Sequence, residues 1–203
     1  MKKLGVFGGS FDPIHNGHLS LCAQLADALA LDRVLLVPTA QHPRKGKMIA
    51  SAQHRLAMCR LAAQTDPRFS VSEIELDREG NSYTADTLRQ IKNEHPNAQI
   101  CLFLGTDMFL MVQNWIRSDE IFRLASVAAG AREETDLIRL QAHLPVLQER
   151  GARAAVIPIT VRPMSSTQVR NAVREGREIR SFVPESVEAY ILEKGLYREE
   201  GEG

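Results

Sequence analysis

Short apolar runs alternate along this chain with segments whose apolar residues recur at helical spacing, and this alternation constrains the fold more than any other feature. The runs lie at Leu4, Val6 and Phe7; Val34–Pro38; Phe69–Ser72 with Ile74; Gln99–Leu104; Ser126–Ala129; and Ala154–Pro158. A continuous run such as Val34-Leu35-Leu36-Val37 suits a strand covered on both faces, as in a parallel sheet. Between the runs fall helical patterns: Leu19, Cys22, Leu25, Ala26 and Leu29; Leu56, Cys59 and Ala63 behind a Ser51 cap; a helix capped by Ser82 or Thr84; and Leu137, Leu140, Leu144 and Leu147. The pattern predicts a doubly wound, Rossmann-like, mostly parallel α/β sheet with helices on both faces. A small helical C-terminal part follows, carrying Val169, Ala172 and Val173, then Val187, Tyr190 and Ile191 in a helix over Pro184–Lys194 that Gly195 closes.

A chain of 203 residues is expected to form one domain over residues 1–203, with a frayed tail after Tyr197. Basic and acidic residues balance at 25 each, so there is no global field to attract nucleic acid or a membrane surface, and an anionic ligand must be held by a local cluster. There is no apolar run of membrane-spanning length and no signal-peptide pattern, which leads us to expect a cytoplasmic protein. Cys22, Cys59 and Cys101 sit in apolar surroundings without C-x-x-C pairing and read as buried, reduced thiols.

The chemistry concentrates at Lys3–Leu21. A strand ends in Gly8-Gly9, and Ser10-Phe11-Asp12-Pro13-Ile14-His15-Asn16-Gly17-His18 then opens a helix. Two glycines let the backbone approach a ligand, and a helix start aims unpaired N–H groups at the same spot, so the stretch reads as a phosphate site. With Ile14–His18 in the first helical turn, His15 and His18 would project from one face, and Gly17 would leave room for a phosphate. Neither G-x-G-x-x-G nor a Walker loop is present. Two blander readings exist: the histidines as helix caps, or as metal ligands with Asp12.

Other segments gather at the ends of predicted strands. The loop Thr39–Ala50 carries His42, Arg44, Lys45 and Lys47, either a polyphosphate-binding loop or a solvated basic one. Gly105-Thr106-Asp107 ends the fourth strand, where open α/β sheets bind ligands. Ser165-Ser166-Thr167 starts a helix with Arg170 one turn on, serving as caps or as a second phosphate site. Trp115, the one tryptophan, is core or a stacking platform.

The strand, Gly-Gly-Ser-Phe-Asp-Pro and His15-Asn16-Gly17-His18 resemble the H-x-G-H nucleotidyltransferase superfamily. Together with His42–Lys45, Glu75-x-x-Arg78-x-Gly80-x-Ser82-Tyr83-Thr84-x-Asp86-Thr87-Leu88, Gly105-Thr106-Asp107 with Trp115, and Ser165-Ser166-Thr167-x-Val169-Arg170, the chain resembles bacterial nicotinate mononucleotide adenylyltransferases over nearly its whole length. In that family Pro-Pro-His usually precedes the basic residue, whereas here Gln41-His42-Pro43-Arg44-Lys45 exchanges proline and histidine.

The resemblance implies adenylyl transfer from ATP to nicotinate mononucleotide, giving deamido-NAD and pyrophosphate, a step of NAD biosynthesis. It implies His15 and His18 as catalytic residues, and ATP contacts from Gly8, Gly9, Ser10, Gly17, Arg44, Lys45, Gly105, Asp107, Ser165, Ser166, Thr167 and Arg170. Ser10, Phe11, His42, Tyr83, Thr84 and Trp115 would line the mononucleotide site. Mg²⁺ would come with the ATP phosphates, with no protein side chain as ligand. ATP and nicotinate mononucleotide would be the partners, in a monomer or a homo-oligomer, with no nucleic acid or membrane involved. Phosphopantetheine adenylyltransferases share the first and last of these motifs, and a catalytically idle nucleotide-binding regulator on the same fold is a reading of another class.

Overall fold

The computed structural model describes residues 2–40 and 48–198. The strands are β1 (Lys3–Gly9), β2 (Arg33–Pro38), β3 (Phe69–Val71), β4 (Gln99–Leu104), β5 (Ala125–Ala131) and β6 (Ala154–Pro158). The helices are α1 (Asn16–Ala28), α2 (Ala52–Ala63), α3 (Thr84–Glu94), α4 (Thr106–Met111), α5 (Ser118–Leu124), α6 (Glu134–Glu149), α7 (Ser166–Arg174) and α8 (Glu185–Glu193), with a 3-10 turn at Val112–Asn114. The strands form one sheet in the order β3-β2-β1-β4-β5-β6, and every described pair is parallel.

Parallel pairing buries both faces, which is why the strands carry apolar residues on successive positions. One face packs Phe7, Val34, Leu36 and Phe103 against Leu21, Cys22 and Leu25 of α1, Met58 and Cys59 of α2, Val169 of α7 and Val187 of α8. The other packs Val6, Leu35, Ile100 and Leu102 against Leu88 and Ile91 of α3, Phe109 of α4, Ile121 of α5, and Leu140 and Leu147 of α6. Each fully buried leucine or isoleucine here contributes about 1.5–3 kcal/mol relative to exposure. The C-terminal helices join the α1 and α2 layer. Cys22, Cys59 and Cys101 are free and buried, and burial raises all three thiol pKa values.

Local structure departs from the sequence reading at several points. β3 ends at Val71, and Ile74 leaves the strand to fill the α3-side core. The segment between β4 and β5 carries α4, the 3-10 turn and α5, short elements whose apolar residues show no long periodic pattern. α3 begins with Tyr83 in extended conformation as its N-cap, and no side chain caps it, so neither Ser82 nor Thr84 has that role. Among the described residues no helix is long and apolar enough to cross a membrane.

What positions a site is the reversal of strand order. β1 lies between β2 and β4; connections from β1 run outward to β2 and β3, then cross back to β4. The carboxyl ends of β1 and β4 therefore border a crevice with no connection over it, where open α/β sheets take their ligands.

Candidate active site

Helix α1 starts at Asn16, two residues later than the sequence suggests. His15 is its N-cap, with φ −144° and ψ 167°, and Ile14 precedes the helix and is fully buried. His15 Nδ1 accepts from the His18 N–H at 3.3 Å, and His18 Nδ1 accepts from the His15 N–H at 3.3 Å. This is a reciprocal capping box built from two imidazoles. The rings stack, with centroids 3.6 Å apart and planes 17° from parallel. Because each Nδ1 accepts from the main chain, a neutral ring carries its proton on Nε2, the nitrogen that would meet a ligand. The cap reading and the ligand reading are compatible, since they use different nitrogens.

His15 is 3% exposed, and its pKa falls from 6.5 to about 4, chiefly through burial, then the nearby Arg132 charge, against a backbone hydrogen bond that raises it. It is therefore a neutral donor at pH 7. The stability consequence has a definite sign: the unfolded chain takes up a proton on His15 below pH 6.5 while the folded one resists until about pH 4. Folding is thus expected to weaken as pH falls between those values, by up to about 3 kcal/mol from this residue. Urea midpoints at pH 7 and pH 4.5 check this, and His15→Asn, which keeps a cap, should flatten the difference.

The other groups at this helix start correct the sequence reading. Asn16 N–H donates to Phe182 O at 2.7 Å, Gly17 N–H points to Met164 Sδ at 3.0 Å, and His18 N–H is held by His15. The first-turn main-chain donors of α1 are thus used within the protein and are not available to an anion. Nor does Gly17 open space for a phosphate: a Cβ there would lie 2.8 Å from Met164 Cγ and 3.1 Å from His15 Nδ1, so its small size admits those two side chains. A histidine and Asp12 metal site also fails. The Asp12 carboxylate is buried and accepts from Ile49 N–H (2.8 Å), Ala50 N–H (3.0 Å) and Tyr197 O–H (2.8 Å).

Phe11 sits at φ 47° with its ring 2% exposed, edge-on to His18 at 5.3 Å and to Phe7 at 5.6 Å. The ring is a core wall that holds the His18 imidazole in place, and only its main chain is left for the expected mononucleotide contact. Gly9 makes this possible, because a Cβ there would meet the Phe11 ring at 2.9 Å. Gly8, by contrast, is exposed, and a Cβ at Gly105 would meet nothing within 4 Å, so both border open space at the crevice. Ser10 is half-buried beside them, and Asp107, in the first turn of α4, is exposed.

Helix α7 brings its start to the same place. Ser165 caps it by accepting from Gln168 N–H at 3.2 Å; Ser166 Oγ donates to Pro13 O at 2.9 Å; and Arg170 donates to Asp12 O at 2.6 Å and to Thr167 Oγ at 3.1 Å. The expected phosphate ligands thus clamp α7 onto the loop that carries the histidines. Ser166 spends its proton on Pro13 O, while the Thr167 hydroxyl, accepting from Arg170, keeps its proton for a ligand. Sequence reasoning does not single out Arg132, directly after β5. It is exposed, and its charge reaches His15; an arginine at the carboxyl end of a strand is the available signal. His42, Arg44, Lys45 and Lys47 lie outside the described residues, as does the tail after Arg198.

A second corner is built from α3 and the segment before α5. Thr84 is the first residue of α3, and Asp86 and Thr87 N–H both bond to Tyr83 O, whereas the Thr84 and Ala85 N–H groups meet no acceptor among the described residues. Asp86 is paired with Arg117, contacts that hold its carboxyl below the usual range, with Arg89 adding a bond at 2.9 Å; Arg117 also lies 6.0 Å over the Tyr83 ring. Trp115, two residues before Arg117, is half-buried against the α3-side core, so one part of the indole is packed and the rest is presented outward. Beneath the turn, Glu75 is 6% exposed; its Oε1 accepts from Thr87 Oγ at 2.8 Å, and Thr87 Oγ is bonded by Arg78 at 3.0 Å. Burial raises the Glu75 pKa, against Thr87, Ser82, Arg78 and Thr39, although the Ser82 hydroxyl and Glu75 Oε2 do not close a hydrogen bond.

Comparison with known proteins agrees with this architecture. Residues 6–172 match the cytidylyltransferase-like family. A protein of Thermus thermophilus, described as a probable nicotinate-nucleotide adenylyltransferase, is 41% identical over 198 residues, covering 97% of this chain and 100% of its own. One of Thermomicrobium roseum with the same description is 38% identical over 201 residues, covering 98% of this chain and 92% of its own. The chain belongs to the nicotinate-nucleotide adenylyltransferase family. The fold is also that of Plasmodium falciparum nicotinic acid mononucleotide adenylyltransferase complexed with NaAD, which superposes with TM-score 0.75 at 18% identity, covering 97% of this chain and 98% of that one. In this adenylyltransferase the two corners are carried by different helical layers, α1 with α7 on one face and α3 with α5 on the other, and they border one sheet.

Proposed function

We propose that this protein transfers the adenylyl group of ATP to nicotinate mononucleotide. An oxygen of the mononucleotide 5′-phosphate attacks the α-phosphorus of ATP, a P–O–P bond forms, and pyrophosphate leaves with the electron pair of the broken bond; the products are deamido-NAD and pyrophosphate. Such an in-line transfer needs reactants held in place and positive charge or donors around the phosphorus, with no covalent intermediate. His18 Nε2–H serves as a donor to the α-phosphate, backed by the Phe11 ring, and His15 Nε2–H, Arg132, Thr167 and Arg170 supply donors around the triphosphate. Family membership supports the reaction class. The substrate reading rests on one observation, the uncapped start of α3, whose Asp86 is tied to Arg117 two residues after Trp115; the turn would offer main-chain donors to a carboxylate and the indole a face to a ring.

Mg²⁺ fits this site as an ion carried by ATP. The Asp12 carboxylate is filled by its own donors, so on this reading phosphate oxygens and water would be the ion's ligands. When bound, the ion neutralises phosphate charge and stabilises the leaving pyrophosphate. Asp107, exposed next to Gly105, is the carboxylate positioned for a ribose hydroxyl or for the ion's water shell.

The test is pyrophosphate release with ATP and Mg²⁺, offering nicotinate mononucleotide, nicotinamide mononucleotide and phosphopantetheine in parallel. Release with the first above all is expected. Release only with phosphopantetheine would overturn the substrate, and release with none would favour a binding regulator. Trp115 adds a separate check. Its stacking is made equally before and during reaction, so Trp115→Ala should raise KM for the mononucleotide about tenfold and leave that for ATP alone. Unchanged KM with a lowered Tm would make Trp115 a core residue only.

A further inference from the structure

Arg55 of α2 is 1% exposed and the bulkiest of the fully buried side chains. It forms no ion pair within 4 Å among the described residues: one terminal nitrogen donates to Ser10 O at 2.7 Å, and its buried Nε has no acceptor. Burial lowers its pKa, while Asp12, Cys59 and Tyr197 favour the charged form. A buried cation so thinly paired is a liability for folding, and an apolar side chain of similar volume usually serves a core as well or better. What Arg55 does hold is specific. The Ser10–Phe11 peptide is trans, so its C=O and N–H point in opposite directions. Drawing Ser10 O down to α2 aims the Phe11 N–H away from α2. That N–H and the Ser10 N–H have no acceptor among the described residues, and Phe11 is held at φ 47°, a conformation non-glycine residues need help to keep.

We propose that Arg55 is a positioning residue for phosphate binding: by holding Ser10 O it turns the Ser10–Phe11 peptide so that its N–H meets a ligand phosphate. The inference rests on the phosphate-binding part of the proposed function and is independent of which nucleotide the enzyme accepts. The Asp12 clamp to Ile49, Ala50 and Tyr197 fixes the far side of the same loop, so Arg55 and Asp12 set its conformation from beneath.

The test uses inorganic pyrophosphate as the probe, with calorimetry for affinity, the Phe11 amide resonance for contact, and Tm for stability. In the unmodified protein the Phe11 amide should shift on titration. Arg55→Met should weaken pyrophosphate binding about tenfold or more and abolish the shift, while Tm stays within about 2 °C or rises. Arg55→Lys, which can still reach Ser10 O, should lie between the two, and it carries the test if Arg55→Met does not fold. A Phe11 amide that ignores pyrophosphate, unchanged affinity in Arg55→Met, or, should that variant not fold, unchanged affinity in Arg55→Lys, would overturn the proposal. If the unmodified protein binds pyrophosphate as expected but shows no turnover with nicotinate mononucleotide, the substrate assignment falls and the Arg55 assignment stands.

Discussion

His18→Ala should lower kcat by about 10²-fold or more while KM for ATP moves little, the scale seen when one preorganised donor is removed from a developing charge. The imidazole is preorganised from three sides: Nδ1 is pinned by the His15 N–H at 3.3 Å, one ring face lies on His15 at 3.6 Å, and Phe11 stands edge-on at 5.3 Å. These contacts fix which nitrogen carries the proton and where it points before ATP arrives. The same side chain closes a capping box, so alanine also leaves the His15 N–H unpaired, a loss of about 0.5–2 kcal/mol. His18→Gln separates the two effects, because glutamine at this helix position accepts from the N-cap N–H. It should recover most of the lost Tm and little of the lost kcat. Near-normal kcat in the alanine variant would reduce His18 to a helix cap.

The second large effect concerns the pyridine substituent, where carboxylate and carboxamide differ little in shape. The start of α3 offers Thr84 and Ala85 N–H groups and the positive end of the helix dipole. A carboxylate can take one N–H on each oxygen; in that two-pronged arrangement an amide turns its NH₂ toward a donor and leaves a group unpaired. Asp86 in the same turn would oppose an anion, but Arg117 and Arg89 neutralise it. Losing one or two charge-assisted bonds, about 1.5–3 kcal/mol each, gives kcat/KM at least about tenfold higher for nicotinate than for nicotinamide mononucleotide. The donors are main chain, so Thr84→Val should keep most of the preference. Thr84→Pro should erode it without breaking the helix: proline is tolerated at the first helical position, and Tyr83 at φ −107° and ψ 128° already has the conformation required before proline. Equal kcat/KM for acid and amide in the unmodified protein would sink both the donor account and the substrate assignment.

The sequence alone determined the sheet, the layers and the reaction class. Buried parallel strands must be apolar on both faces and their helices on one, so Val34–Pro38, Gln99–Leu104 and Ala154–Pro158 were legible to within a residue. Hydrophobic period carries no information about polar partners, and there the tertiary structure decided. By local position the Gly17 N–H is an anion donor, but Met164, far away in sequence, takes it. Asp12 can be read as a metal ligand until the chain end at Tyr197 and the segment at Ile49–Ala50 fold onto it. Arg55 looks like one more charge on a helix, because only packing of α2 under the Ser10 loop removes it from water. A side chain's type and local spacing are written in the sequence, whereas its hydrogen-bond partners are chosen by which segments meet, and that choice separates a ligand from a clamp.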